Sequence, residues 1–254
     1  MDSPRPLLFI SDLHLSPAIP NTVAAFEHFI ADTAAHASAV YILGDLFEYW
    51  IGDDMLATPF AKRVARTLRT LQERGIALYL MQGNRDFLLG QAFAQASGGT
   101  LLPDPFTFDA FGRRIVLAHG DGLCTADVGY QRFRRVSHSA AGRRFFLSWP
   151  LKWRLALAAR MRNKSQKTWT PERMAIADVT SDAVTSLLRE TQAVILIHGH
   201  THRPAVHRQV VDQRSTQRWV IPDWELDHGE PRGGYLVLDT SGVCTRALDW
   251  QKPD

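Results

Sequence analysis

The sequence predicts an α/β fold, and two patterns predict it. Short apolar runs of strand length alternate with longer stretches of helical period, the rhythm of parallel-sheet α/β proteins. Five of those runs end directly in polar side chains able to hold a metal ion. Ligand-bearing loops at strand carboxyl ends are the usual active-site placement in such sheets. With 254 residues, 45% hydrophobic and 22% charged, the chain suits one large domain or a domain with a substantial insertion.

The elements follow in order. Residues 6–11 (PLLFIS) form the first strand and deliver Asp12 and His14. A helical pattern over 21–36 places Val23, Phe26, Phe29 and Ile30 on one face. Residues 39–43 (AVYIL) lead into Gly44 and Asp45, and a helix over 58–74 stops at Gly75, a residue suited to a left-handed C-cap. Residues 76–81 (IALYLM) deliver Gly83 and Asn84, residues 114–118 (RIVLA) deliver His119, and residues 193–197 (AVILI) deliver His198, Gly199 and His200. After His202 come four shorter segments (205–211, 218–221, 234–238, 244–250) that read as antiparallel strands. Residues 125–190 lack the strand rhythm and read as a mostly helical insertion between core segments 1–124 and 191–254.

Neither a membrane span nor a secretory leader is expected. The apolar stretch at 7–10 is too short for either, and no later run approaches roughly 18 residues. Two cysteines, Cys124 and Cys244, form no CxxC pair and no disulfide framework, which fits a reducing compartment. Cytoplasmic placement is therefore expected. The net charge of +3 hides an asymmetry: residues 131–173 hold about a dozen Lys and Arg against one acid, Glu172, roughly +11, leaving the remainder near −8. That segment should meet something negative.

The polar clusters suggest the chemistry. In Asp12-Leu13-His14 the i and i+2 side chains of extended backbone reach the same side, so both can address one ion. Asp45 offers two carboxylate oxygens able to bridge two ions, and Asn84 a neutral carbonyl oxygen. His119 sits in Ala118-His119-Gly120-Asp121. The most specific cluster is His198-Gly199-His200-Thr201-His202, with three histidines in five residues. His200 and His202 share a side; His198 is either a supporting residue or core. The candidate metal ligands are therefore Asp12, His14, Asp45, Asn84, His119, His200 and His202. A mixed oxygen and nitrogen set suits Mn²⁺, Fe²⁺ or Zn²⁺ better than Mg²⁺ or Ca²⁺. Two ions roughly 3.5–4 Å apart would activate a water and clamp phosphoryl oxygens during in-line displacement.

These motifs resemble the calcineurin-like metallophosphoesterase superfamily, whose D-x-H, G-D, G-N, H-G and G-H-T-H signatures all occur here in order across residues 12–202. Residues 44–54, 83–87 and 198–204 narrow the resemblance to the UDP-2,3-diacylglucosamine pyrophosphohydrolase family of lipid A biosynthesis. That resemblance implies an αββα sandwich, two Mn²⁺ ions and a helical insertion that caps acyl chains. It implies one metal site from Asp12, His14, Asp45 and His202, and another from Asp45, Asn84, His119 and His200. Substrate contacts are implied at Asn84, Arg85, Asp127, Tyr130 and His200, with Ser165 matched by position and Lys164 and Lys167 only as candidates. The implied catalytic residues are Asn84, Arg85 and His200. The implied reaction is hydrolysis of the UDP-2,3-diacylglucosamine pyrophosphate at the α-phosphorus, yielding UMP and 2,3-diacylglucosamine 1-phosphate.

Two physical checks bear on this expectation. The superfamily usually places a histidine after the G-N asparagine, able to protonate a poor leaving group; here Arg85 stands there, always charged and suited to clamping phosphate oxygens. A phosphate leaving group, with a second pKa of about 6, needs little acid help. Residues 148–157 read as a helix start with Pro150 in the first turn, mixing Trp and Leu with Lys and Arg. That composition suits a membrane surface, and the resemblance implies the inner leaflet of the inner membrane. Phe133, Phe145, Phe146, Trp149 and Trp153 are candidates to line an acyl pocket. His28, His36, His138, His207 and His228 fall in no motif and read as structural or surface. No nucleic-acid partner and no oligomeric partner is expected. The rival reading on the same fold is a nuclease or nucleotide phosphodiesterase, whose basic segment would follow a phosphate backbone.

Overall fold

The computed structural model of the chain describes residues 4–167 and 178–250, with side chains throughout these ranges except at 159 and 161–167. The first half runs β1 (Leu7–Ile10), α1 (Pro20–His28), β2 (Ala39–Leu43), α2 (Pro59–Glu73), β3 (Ala77–Met81), α3 (Gln91–Ser97) and β4 (Thr100–Leu102). The second half runs β5 (Phe106–Ala110), β6 (Arg113–Ala118), α4 (Val128–Ser137), α5 (Ala140–Leu147), α6 (Leu151–Lys167) and α7 (Ser181–Thr191). It ends with β7 (Ile195–His198), β8 (Val206–Val211), β9 (Arg214–Val220), β10 (Gly234–Asp239) and β11 (Gly242–Ala247). These strands make a six-stranded sheet ordered β11-β10-β1-β2-β3-β4 and a five-stranded sheet ordered β5-β6-β7-β9-β8.

Strand alternation sends side chains to opposite faces, and three apolar clusters result. Leu8, Ile10, Val40, Ile42, Leu78 and Leu80 pack outward from the six-stranded sheet with α1, α2 and α3. Phe9, Tyr41, Leu43, Ile115, Leu117, Ile195 and Ile197 meet between the sheets, where Tyr41 stacks with Phe9, Tyr79 and Phe108 at centroid separations of 4.9, 4.7 and 5.5 Å. Val116, Ala118 and Leu196 pack outward from the five-stranded sheet against Val184 and Leu188 of α7. The layers are helices, sheet, sheet, helix, the αββα arrangement. β2 is buried along its whole length, which is why its sequence is a continuous apolar run rather than an alternating one.

The helix expected over 58–74 is α2, with Pro59 in its first turn and Thr58 accepting from the Ala61 N–H at 3.3 Å. It buries Ala61, Val64, Ala65, Leu68 and Leu71, each larger side chain contributing about 1.5–3 kcal/mol. The segment expected as one helix over 21–36 changes pitch, from α1 to a π-turn at Phe29–Thr33 and a 3-10 turn at Ala34–His36, while Val23, Phe26, Phe29 and Ile30 all stay buried. The C-terminal strands differ from the purely antiparallel expectation. β8 with β9 and β10 with β11 are antiparallel pairs, but β9 also lies parallel to β7 and so extends the second sheet. Its backbone groups need partners on both sides, and β7 supplies the second set. β4, β5 and α3 are further elements of three, five and seven residues, too short for a period to stand out. Within 125–190, α4 and α5 bury no residue, whereas α7 is a layer of the sandwich itself. Among the described residues no helix is long and apolar enough to cross a membrane.

Candidate metal centre

The loops that leave β1, β2, β3, β6 and β7 converge at one end of the two sheets. Backbone bonds knit them: Asp12 N–H donates to Gly44 O at 3.2 Å, His14 N–H to Asp45 O at 3.0 Å, and Gly199 N–H to His119 O at 2.9 Å. Glycine is required where carboxylates approach the backbone. A Cβ at Gly83 would collide with the Asp45 carboxylate, and one at Gly199 with Ser11 Oγ and Asp12 Oδ2. Asp12, His14, Asp45, His200 and His202 all hold positive φ, between 50° and 68°. Such conformations cost on the order of 1–3 kcal/mol each and cluster at functional sites.

The side chains meet in two groups that share Asp12. Asp12, His14 and His202 offer donor atoms within 4.8 Å of one another, and so do Asp12, Asp45 and His119. His202 Nε2 lies 3.4 Å from both Asp12 Oδ1 and His14 Nε2. Asp45 Oδ2 faces His14 Nδ1 at 3.9 Å while Asp45 Oδ1 faces His119 Nε2 at 3.8 Å. Asn84 Oδ1 sits 3.0 Å from His119 Nε2 and 2.9 Å from His200 Nδ1. All seven residues expected as ligands therefore lie at one locus, with Asp45 in the middle.

Several of these atoms have a lone pair and nothing to accept. Asp12 Oδ1 and His14 Nδ1 are buried without a hydrogen-bond partner. His119 Nδ1 lies 2.9 Å from the Leu43 carbonyl; a carbonyl only accepts, so Nδ1 carries the proton and, in the neutral ring, Nε2 turns a lone pair toward Asp45 and Asn84. Burying such acceptors face to face is costly unless a cation lies between them. The donor set, oxygen and imidazole nitrogen without thiolate, fits a transition-metal ion.

The electrostatics agree. Burial, with Asp86 and Asp12 close by, pushes Asp45 up to about 7 despite the opposing His119 and Arg85. Burial works against charge on His119, yet Asp45, Asp12 and Asp121 raise it to about 9. His202 is likewise raised to about 10 against its burial, by Asp12 and Asp223. His200, buried beside His119, falls to about 4. Crowded carboxylates thus make the locus attract positive charge, which they here draw as protons.

The other expected residues divide. Arg85 lies at the rim: its backbone N–H donates to Asp45 Oδ1 at 2.8 Å and its Nη1 to Glu48 Oε1 at 2.8 Å, with the side chain 36% exposed. Asp127 caps α4 by accepting from the Tyr130 N–H at 2.8 Å, and the Tyr130 hydroxyl donates to Asp121. Lys164, Ser165 and Lys167 lie outside the residues whose side chains are described. His198 turns away from the cluster; its Nδ1 donates to Gly199 O at 2.8 Å and its Nε2 accepts from Arg218 at 3.1 Å. His28, His36, His207 and His228 are exposed, while His138 stacks on Phe87 at 5.2 Å. Of the candidate acyl-pocket aromatics, Phe145, Trp153 and Phe133 are 65%, 60% and 43% exposed; Phe146 packs on the core and Trp149 is half-buried against Phe145 and Phe146.

Supporting carboxylates escaped the sequence reading. Asp86 is fully buried and accepts from the N–H groups of Gly83 at 2.7 Å, Asp45 at 3.2 Å and Leu46 at 2.8 Å, joining the Asp45 and Asn84 loops. Asp104 accepts from the His119 N–H at 3.3 Å, and Arg134 of α4 bridges Asp104 and Asp121 at 2.9 and 2.8 Å. Asp86 had a signal, its place in Gly83-Asn84-Arg85-Asp86. Asp104 and Arg134 had none.

Comparison with known proteins agrees with this geometry. The family model described as calcineurin-like phosphoesterase matches residues 5–204. A UDP-2,3-diacylglucosamine hydrolase from Ralstonia nicotianae is 47% identical over 94% of this chain and 91% of its own. Proteins of the same name from Aeromonas salmonicida (48% identical, 85% of each chain) and Bordetella pertussis (45% identical, 94% of this chain and 93% of its own) are similar. The chain therefore belongs to the calcineurin-like phosphoesterases, and among them to the family of the UDP-2,3-diacylglucosamine hydrolases.

Proposed function

We propose that the protein hydrolyses the pyrophosphate bond of UDP-2,3-diacylglucosamine at the α-phosphorus, releasing UMP and 2,3-diacylglucosamine 1-phosphate, with two Mn²⁺ ions at the locus around Asp45. The observation that carries a diphosphate substrate is Arg85, hydrogen-bonded through its backbone to Asp45 and open to solvent on its guanidinium side. The acylated nucleotide sugar follows from the relatives named for it. Asp12, His14, Asp45 and His202 would hold one ion and Asp45, Asn84, His119 and His200 the other; when bound, such ions activate a water and neutralise phosphoryl oxygens.

The chain's own groups do the rest. Glu48 steadies Nη1 of Arg85 and Asp45 Oδ2 faces its Nε at 3.8 Å, which leaves Nη2 as the donor for phosphate oxygens. Arg85 keeps its proton and stabilises charge on the departing sugar phosphate, which needs little protonation. Asn84 and His200, 2.9 Å apart, border the same phosphate position. Asp127 and Tyr130, at the start of α4, lie where the insertion meets the locus and are proposed substrate contacts, together with Ser165, Lys164 and Lys167. Helices α4–α6 are proposed as the acyl cap, and their basic, aromatic surface as a peripheral contact with the cytoplasmic face of the inner membrane.

The test is UMP release from UDP-2,3-diacylglucosamine with Mn²⁺, with and without chelator, beside a single-stranded nucleic acid control. Rapid, chelator-sensitive UMP release is expected. Cleavage of the nucleic acid without UMP release would transfer the same site to a nuclease.

A further inference from the structure

His202 differs from the other histidines at the locus in how its ring is held. Its side chain is 35% exposed, against 14% for His14 and none for His119. A buried ring is fixed by packing, but a ring at the rim needs a bond. His202 Nδ1 lies 3.2 Å from Asp223 Oδ2, while its Nε2 faces Asp12 and His14. Asp223 is only 3% exposed, and the same oxygen accepts from Arg232 Nε at 3.0 Å and Nη2 at 2.8 Å.

The backbone around this pair is held as closely as the ligand loops. After β9, Ile221 N–H donates to His198 O at 2.8 Å and Trp224 N–H to Asp12 O at 3.2 Å, so Asp223 is pinned between two ligand loops. The chain then turns back, and the Glu225 and Arg232 backbones exchange bonds of 2.9 and 2.8 Å, which returns Arg232 to Asp223. Burying a carboxylate is costly without partners. Here Arg232 supplies the charge and two hydrogen bonds, and His202 Nδ1 faces the same oxygen at 3.2 Å.

We propose that Asp223, braced by Arg232, is the positioning residue for His202. It holds the proton on Nδ1, presents the Nε2 lone pair to the ion shared with Asp12 and His14, and strengthens that ring as a donor, as a carboxylate behind a metal-bound imidazole does. The inference rests on the two-metal reading above. Mutation of such supporting groups weakens metal binding or activity roughly 10- to 100-fold.

The experiment is Mn²⁺ binding to the metal-free full-length protein, followed by the EPR signal of free Mn²⁺, for wild type, Asp223→Ala, Asp223→Glu and Arg232→Gln. Metal-free melting temperature is measured alongside as a control for folding. Wild type is expected to bind two ions. Asp223→Ala should bind one of them roughly 10- to 100-fold more weakly and leave the other unchanged, with Arg232→Gln intermediate and Asp223→Glu largely restored. Two ions bound by Asp223→Ala with wild-type affinities would overturn the role of Asp223 alone. A drop only in metal-free melting temperature, with both affinities intact, would also overturn it, because that is a purely structural effect. A wild type that binds no ion would overturn the two-metal reading and this inference together.

Discussion

The ligand loops and helices α4–α6 belong to one chain but are built in opposite ways. In the loops, Asp12, Asp45, Asp86 and His119 are at most 2% exposed and their backbones are cross-linked. In α4 and α5 no residue is buried, and Val136, Phe145 and Leu147 stand 67%, 65% and 43% exposed. A metal locus needs its donors held to fractions of an ångström before the ion arrives, so the fold encloses them. The proposed reading of α4–α6, a surface for acyl chains or lipid, calls for exposed apolar groups of this kind. The two regions are joined by polar links, among them Arg134 to Asp104 and Asp121 and Arg154 to Asp54 and the Ile51 carbonyl, and by Phe146 on the core and His138 on Phe87.

The largest expected effect tests the enclosed half. His119→Ala or Asp45→Ala should lower kcat by ~10³-fold or more with little change in the circular dichroism spectrum; a loss under tenfold would break the contrast between the two regions. Arg85→Ala should cost ~10²-fold in kcat/KM on the diphosphate substrate, and Arg85→Lys should recover little, since a point charge does not replace the planar fork. Arg154, 4% exposed, anchors α6 to the core. Arg154→Ala should destabilise by about 1–3 kcal/mol in denaturant titration, because the Ile51 carbonyl and Asp54 lose their donor, and should raise KM more than it lowers kcat.

A smaller effect comes from acid. His138, on the cap and stacked on Phe87, is lowered to about 4 by burial and by Arg134 and Arg143. Its folded value lies below the unfolded one of about 6.5, so its contribution is complete above pH 6.5 and is lost as pH falls through 4. Melting temperature followed from pH 7 to pH 4 should fall less steeply in His138→Phe than in wild type; parallel curves would remove His138 from the cap's docking. The smallest effect on stability belongs to the exposed side chains. Trp153→Ser and Phe145→Ser should change stability by no more than ~0.5 kcal/mol while weakening sedimentation with anionic vesicles. Unchanged sedimentation would detach the cap's aromatics from the membrane reading.

What the sequence determined by itself was the list of chemical groups and the elements that deliver them. A strand end brings the next residues to the carboxyl edge of a sheet, and i, i+2 spacing aims two side chains the same way, so Asp12 with His14 and His200 with His202 were legible as pairs. α2 was legible from its cap, its period and Gly75. Tertiary structure alone decided which groups converge and what supports them. His198 is spaced like a third ligand, yet Arg218 of β9 and the Gly199 carbonyl occupy both its ring nitrogens. Asp223 and Arg232 look like ordinary loop charges until the chain is folded and His202 is found between Asp12 and Asp223. α7, read with the insertion, became a layer of the sandwich because Val184 and Leu188 meet a sheet face that needed covering. Periodicity along a chain tells which way a side chain points, but its partner is set by packing between distant segments, 188 residues apart for His14 and His202.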